Sequence, residues 1–235
     1  MACGMSFLSV SELSNVQDFD LIYEDNALLV FNKPSGLLSV PGKGPEKADC
    51  LRTRVQQVYP EALTVHRLDM STSGILLMAR SAALHRTLSI AFQDREVHKR
   101  YIAVVDGRML EDDMLLGDDP ATWPLIDLPI ATDWINRPLM KIDTEEGKPS
   151  QTHYRILAYD AVTDSTRVEL APVTGRTHQL RVHLQSLGHP ILGDHLYASP
   201  DTQDKSARLL LHASSLTINH PITGQAMQWQ CVAPF

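Results

Sequence analysis

The sequence predicts an α+β domain rather than a doubly wound fold. Strand-like apolar runs outnumber helical stripes, and several neighbouring runs are joined by short polar turns, as in antiparallel pairs, instead of alternating strictly with helices. With 235 residues, 43% hydrophobic and 21% charged, one domain can bury roughly 70 to 75% of its unfolded surface. No repeat or low-complexity tract interrupts it.

Taken in order, residues 1–19 read as a polar and mixed extension. Leu21-Ile22-Tyr23 and Ala27 to Phe31 flank the turn-like Glu24-Asp25-Asn26 and predict a hairpin. A Gly/Pro loop at Ser39 to Pro45 precedes Asp49, which is placed to cap a helix carrying Leu51, Val55 and Val58 and stopping at Tyr59-Pro60. The apolar run Ile75 to Ala79 predicts a buried strand. Ser81 can then cap a second helix with Leu84, Leu88, Ala91 and Phe92 in one stripe. Arg95, His98, Lys99 and Arg100 lead into a strand at Tyr101 to Val105, and the acidic segment beyond it, through Pro120, reads as a surface insertion.

Gln151 to Ala158 and Thr166 to Pro172 predict paired strands around a turn at Asp160 to Asp164. From Thr177 the spacing is helical, with Leu180, Leu184 and Leu187 on one face, His178, Arg181 and Gln185 on another, and Gly188 at the C-terminal cap. Leu209-Leu210-Leu211 and Leu216-Thr217-Ile218 suggest two closing strands.

Composition narrows the function classes. Cys3, Cys50 and Cys231 are odd in number and far apart, against a disulfide framework or a Cys-x-x-Cys metal site. No basic-then-apolar leader is seen, and no apolar run approaches the roughly 18 residues that cross a bilayer, so a cytoplasmic protein without membrane contact is expected. The net charge is −7, but residues 1–26 and 106–119 each carry −5, which leaves +3 on the remainder. A locally basic face on an acidic protein is therefore compatible with binding a polyanion.

The stretch His66-Arg67-Leu68-Asp69-Met70-Ser71-Thr72-Ser73-Gly74 sets a cation and a carboxylate two residues apart and feeds directly into the predicted buried strand. Polar groups placed this way are fixed at the edge of a core. On its own, an Asp before Ser, Thr and Gly is more often a turn residue or helix cap than a catalyst. Three further stretches stand in order with it: Asn32-Lys33-Pro34-Ser35-Gly36, Lys99-Arg100-Tyr101, and Gly175-Arg176-Thr177-His178-Gln179-Leu180-Arg181-Val182-His183, the last extended by Gly188 to Asp194. Together they resemble the motifs of the RluA family of pseudouridine synthases, whose signature H-R-L-D-x-x-T-S-G the first stretch matches, and the resemblance covers about residues 20 to 230.

The resemblance implies a mixed, mainly antiparallel sheet with flanking helices, in a single catalytic domain over residues 20–235. The short upstream segment is too small for the S4-type domain that some members carry. It also implies an RNA isomerase that breaks the N1–C1′ bond of uridine, turns the base and rejoins it through C5. Such a reaction gains and loses no atom and needs no cofactor. No nucleotide-binding glycine motif or metal-ligand set is evident, and His178 and His183 stand five apart, off the i, i+4 spacing of helical zinc ligands.

By the same resemblance Asp69 is the catalytic carboxylate, Arg181 its charge compensator, and Tyr101 the ring that packs on the uracil. Three roles are open to Asp69: attack at C1′, addition to the base, or removal of a sugar proton. Arg67 would meet RNA as a base-flipping wedge or a phosphate clamp. His66, Thr72, Lys33, Arg176, His178 and Gln179 are expected to bind substrate from within the motifs.

Ser35 to Gly42 and Gly193 to Pro200 are most similar to a short-chain, dual-specificity member that modifies loop uridines of both 23S rRNA and the tRNA anticodon stem-loop. The acidic segment Glu111 to Asp119 is longer here. A monomer with RNA as its partner is expected. The rivals are an RNA-binding module without chemistry and a base-releasing glycosylase, which free uracil among the products would identify.

Overall fold

The computed structural model describes residues 19–110 and 117–235. The expected N-terminal extension, save Phe19, and residues 111–116 of the expected acidic insertion lie outside the described residues. Strands are β1 (Asp20–Glu24), β2 (Leu28–Lys33), β3 (Leu63–Thr64), β4 (Ser73–Ala79), β5 (His98–Asp106), β6 (Leu125–Asp127), β7 (Ile130–Thr132), β8 (Met140–Ile142), β9 (Gln151–Asp160), β10 (Ser165–Pro172), β11 (Leu211–Asn219) and β12 (Ala226–Gln230). Helices are α1 (Leu51–Gln56), α2 (Ala82–Gln93), α3 (Gln179–Ser186) and α4 (Pro200–Asp204).

One sheet runs in the order β1-β2-β4-β11-β5-β10-β9-β6, with β12 on β11 and β3 on β4, while β7 and β8 pair apart. Among the described strands every pairing is antiparallel except β4 with β11, where Ser73 faces His212 and Gly74 faces Ala213. The fold is therefore α+β with a mixed, mainly antiparallel sheet, as expected. Gly74 has φ 110°, and a Cβ there would run into the Ala213 backbone, so the parallel junction is closed by the absence of a side chain.

The core follows from strand alternation. Leu29, Phe31, Leu76 and Met78 face one way, onto Leu51 and Val55 of α1. Leu28, Val30, Ile75 and Leu77 face the other, onto Leu88 of α2. All seven residues of β4 are consequently buried, which makes it a rigid base for the loop that precedes it.

Several local expectations hold. The β1–β2 hairpin and the β9–β10 pair are present, Ser81 accepts the Leu84 N–H at 3.3 Å to cap α2, and Gly188 follows α3 with φ 83°. Others are corrected. The α1 cap is Cys50, whose Sγ accepts the Thr53 N–H, while Asp49 instead pairs with Arg54 at 2.7 Å. Val58 lies beyond the helix and is exposed. The two closing strands become one, β11, with an irregularity between Ala213 and Ser215, and its partner β12 has no counterpart in the sequence reading. The expected insertion is fastened at its C-terminal end: Asp118 pairs with Arg155 at 3.0 Å, and the Gly117 carbonyl accepts the Trp123 indole N–H. Among the described residues no helix is long and apolar enough to cross a membrane.

Candidate active site

Three segments meet over the centre of the sheet: the loop entering β4, the first half of β5, and the loop leaving β10 for α3. Arg67, Asp69, Thr72, Lys99, Tyr101, Arg176, His178, Gln179 and Arg181 line the cleft they form. Leu68, Pro172, Leu180 and Leu211 supply apolar wall. The registers Leu170 with Tyr101 and His212 with Ser73 fix the three segments relative to one another.

The loop bearing Asp69 rests in a cradle made by residues 33–39. Ser39 Oγ donates to the Leu68 carbonyl at 2.7 Å and accepts the Leu68 N–H at 3.0 Å. The Gly36 N–H reaches the Met70 carbonyl at 2.8 Å, and Ser35 Oγ donates to the Ser71 carbonyl at 2.7 Å. Lys33, fully buried, donates its ammonium to the carbonyls of Pro34, Leu37 and Met70. Burial pulls Lys33 down to about 7 against the favourable charge of Asp69, while three carbonyl acceptors support the charged form. Lys33 therefore stands behind the loop and does not line the cleft, contrary to its expected role in substrate binding.

His66 is likewise outside the cleft. Its Nε2 accepts the Leu77 N–H at 3.0 Å and its ring stacks on Phe92 at 4.7 Å. Burial, reinforced by Lys99, pushes it down to about 3, so it is a neutral packing residue. Gln179 touches the cleft but is hydrogen-bonded away from it. Its Oε1 accepts from Thr174 Oγ1 and the Arg176 N–H, and its Nε2 donates to the Gln151 carbonyl and Thr152 Oγ1. It shapes the loop that presents Arg176 and His178. Thr72 closes the Asp69 turn by giving its N–H to the Asp69 carbonyl at 3.1 Å.

Arg181 is the centre of charge, with its side chain 5% exposed. Its Nε and Nη2 form a two-pronged pair with Asp194, which is fully buried, and its Nη1 lies 3.4 Å from Asp69 Oδ2. The compensator expected for Asp69 is thus chiefly the partner of Asp194, which closes the Gly188 to Asp194 extension of the last motif. Asp69 itself is 30% exposed at its side chain. His178 Nε2 approaches the same Oδ2 at 3.9 Å. Among the described residues nothing hydrogen-bonds Asp69 Oδ1.

Tyr101 and Lys99 stand two apart on β5 and so share a face, a strand-period signal legible in the sequence for a lysine given no role there. Burial, then the Asp69 charge, pushes the Tyr101 phenol above its ordinary value, so it remains an O–H. Burial pulls Lys99 down to about 8. Its ammonium lies beside Gly175, and it makes no ion pair among the described residues. Arg67 is exposed at the mouth. Arg67, Lys99, Arg176 and Arg181 thus face one carboxylate among the residues lining the cleft, which favours a polyanion bearing a polar base over an acidic or purely apolar ligand.

Residues 27–186 match the family model described as RNA pseudouridylate synthase. The chain is 48% identical over 215 residues to the dual-specificity RNA pseudouridine synthase RluA of Yersinia pestis, covering 92% of this chain and 99% of that one. It is equally identical to the protein of the same description from Escherichia coli strain K12, covering 92% and 93%. Among solved structures, human RNA Pseudouridylate Synthase Domain Containing 1 superposes with a TM-score of 0.75 at 29% identity, over 98% of this chain and 87% of that one.

Proposed function

Because the chain belongs to the RNA pseudouridylate synthase family, we propose that it isomerises loop uridines of 23S rRNA and of the tRNA anticodon stem-loop, with Asp69 as the catalytic carboxylate. The chain is an RNA pseudouridine synthase, an isomerase. The substrate pair is supported by the relatives at 48% identity, whose name gives dual specificity. The observation that carries the role of Asp69 is its unoccupied Oδ1 in a cleft whose other lining charges are cationic.

Uridine leaves its stack and enters the cleft, where Arg67 stands at the mouth to meet backbone phosphate or fill the vacated position. Tyr101 offers a ring face to the uracil. Asp69, its Oδ2 directed toward Arg181 and His178, presents Oδ1 to the ribose and base. The N1–C1′ bond then breaks, the base turns, and a C5–C1′ bond forms. The C5 proton is released and N1 takes one up, so the balance closes within the nucleotide and solvent. Residues 20–235 would form the catalytic domain, acting as a monomer in the cytoplasm.

The test is direct. Ribosomal RNA and tRNA transcripts are incubated with the purified protein and pseudouridine is mapped at single-nucleotide resolution. Loop positions in both RNAs are expected to convert, and Asp69→Asn is expected to convert none while still binding RNA. Turnover by the Asn variant at the wild-type rate would remove Asp69 from the chemistry. Free uracil would make the protein a glycosylase.

A further inference from the structure

His178 enters α3 with φ 54°, a left-handed conformation that is unfavourable for a residue with a Cβ. Its Nδ1 lies 2.7 Å from the Tyr197 hydroxyl and its Nε2 3.9 Å from Asp69 Oδ2. The Tyr197 oxygen also accepts the Met140 N–H at 2.9 Å. Its own proton then has one acceptor in hydrogen-bond range among the described residues, His178 Nδ1. With Nδ1 accepting, a neutral imidazole must carry its hydrogen on Nε2, the nitrogen facing Asp69. The Tyr197 ring also lies under the Arg181 guanidinium, 5.1 Å from its centroid. Both donors directed at Oδ2 therefore rest on Tyr197.

We propose that Tyr197 is a positioning residue for the isomerisation: its hydroxyl fixes His178 as the Nε2–H tautomer, which holds Oδ2 of Asp69 and leaves Oδ1 for the nucleotide. The proposal rests on the catalytic reading of Asp69. The 3.9 Å approach shortens to a hydrogen bond when substrate fills the cleft, as catalytic contacts do on complex formation. Charge agrees with this arrangement. Burial holds His178 below its ordinary value, with Arg181 acting in the same sense and Asp69 and Asp194 opposing, so the ring is neutral. Burial also pushes the Tyr197 phenol up to about 12, so it keeps the proton it donates.

The experiment combines imidazole 15N NMR on histidine-labelled protein with single-turnover kinetics. The His178 signals are assigned by their loss in His178→Gln. Wild type is expected to show a bare Nδ1 and a protonated Nε2. Tyr197→Phe retains the ring under Arg181 and should lose that tautomer preference. Its chemical step should slow about tenfold, the worth of one hydrogen bond, with half-saturation by RNA within about twofold. Adding Tyr197→Phe to His178→Gln should slow the reaction little further. A proton on Nδ1 of wild type, which needs no variant to fold, overturns the proposal, as do an unslowed Tyr197→Phe or additive losses. An active Asp69→Asn variant would instead sink the catalytic reading, whatever tautomer is found.

Discussion

Arg181 directs its two shortest hydrogen bonds to Asp194, 2.6 Å and 2.8 Å, and meets Asp69 at 3.4 Å through its remaining nitrogen. The buried ion pair that stabilises the site is therefore separate from the carboxylate that serves it. Asp194→Asn strands a buried guanidinium and should destabilise the protein by about 3 to 5 kcal/mol. Asp69→Asn leaves Arg181 paired and should change stability by less than about 1 kcal/mol. Urea denaturation of the two variants checks this, and equal losses would show that Asp69 is a second structural anchor.

Ser39 holds both the N–H and the carbonyl of Leu68, one residue from Asp69. Ser39→Ala should cost about 1 to 3 kcal/mol, since the two buried backbone groups lose their partner. Turnover should fall by more than RNA affinity, because the loop carrying Asp69 loosens while the cationic rim persists. Parallel measurement of rate and Kd decides, and a proportionate drop in affinity alone would count against the cradle.

Lys99 introduces a pH dependence. Burial lowers its folded-state value to about 8, below that of an unfolded lysine. The fold thus disfavours its charge, and this contribution makes stability rise with pH from about 8 toward the ordinary lysine value of about 10.4. RNA affinity should move the opposite way over the same interval, as the cation in the cleft is lost. Lys99→Met should bind more weakly than wild type at pH 7 and show no further decline from pH 7 to 9. Titration of Kd in both proteins across that range checks the sign.

Arg67 is exposed at the mouth of the cleft. If it meets a phosphate, Arg67→Ala should reduce the slope of log K against log salt by about 1, with the melting temperature unchanged. An unaltered slope would leave the wedge between bases as its role.

What the sequence revealed was mostly local. The β1–β2 hairpin, the cap on α2 and the β9–β10 pair are written in turn residues and alternation a few positions apart, and all are present. Strands β7 and β8, three residues each, are too short for a period to register. The residues between Leu211 and Leu216 separate two predicted strands, yet pairing supplied by β4, β5 and β12 carries one strand through them. Asp49 is the stronger acceptor type for a helix cap, yet it satisfies itself on Arg54 and leaves the cap to Cys50.

In the site, the motifs located Asp69, Tyr101 and Arg181, and all three line one cleft. Lys33, His66 and Gln179 belong to the same motifs, but their polar atoms hold the backbone of the loops and strand that build the cleft. A polar side chain that binds a ligand and one that fastens a loop have the same sequence appearance. Asp194 lies beyond a helix and a chain reversal from Arg181, so only tertiary structure makes it a partner.

The position of β11 sets the timetable on which activity can arise. Asp69 and Tyr101 are both made early, yet the strand that joins their two strands into one sheet spans residues 211–219. A chain emerging from the ribosome has every side chain of the cleft except Leu211 translated before that strand exists, and until then the edges of β4 and β5 that it will occupy are unpaired. Pairings this distant in sequence form slowly. The cleft is therefore assembled only after nearly all of the chain has been made.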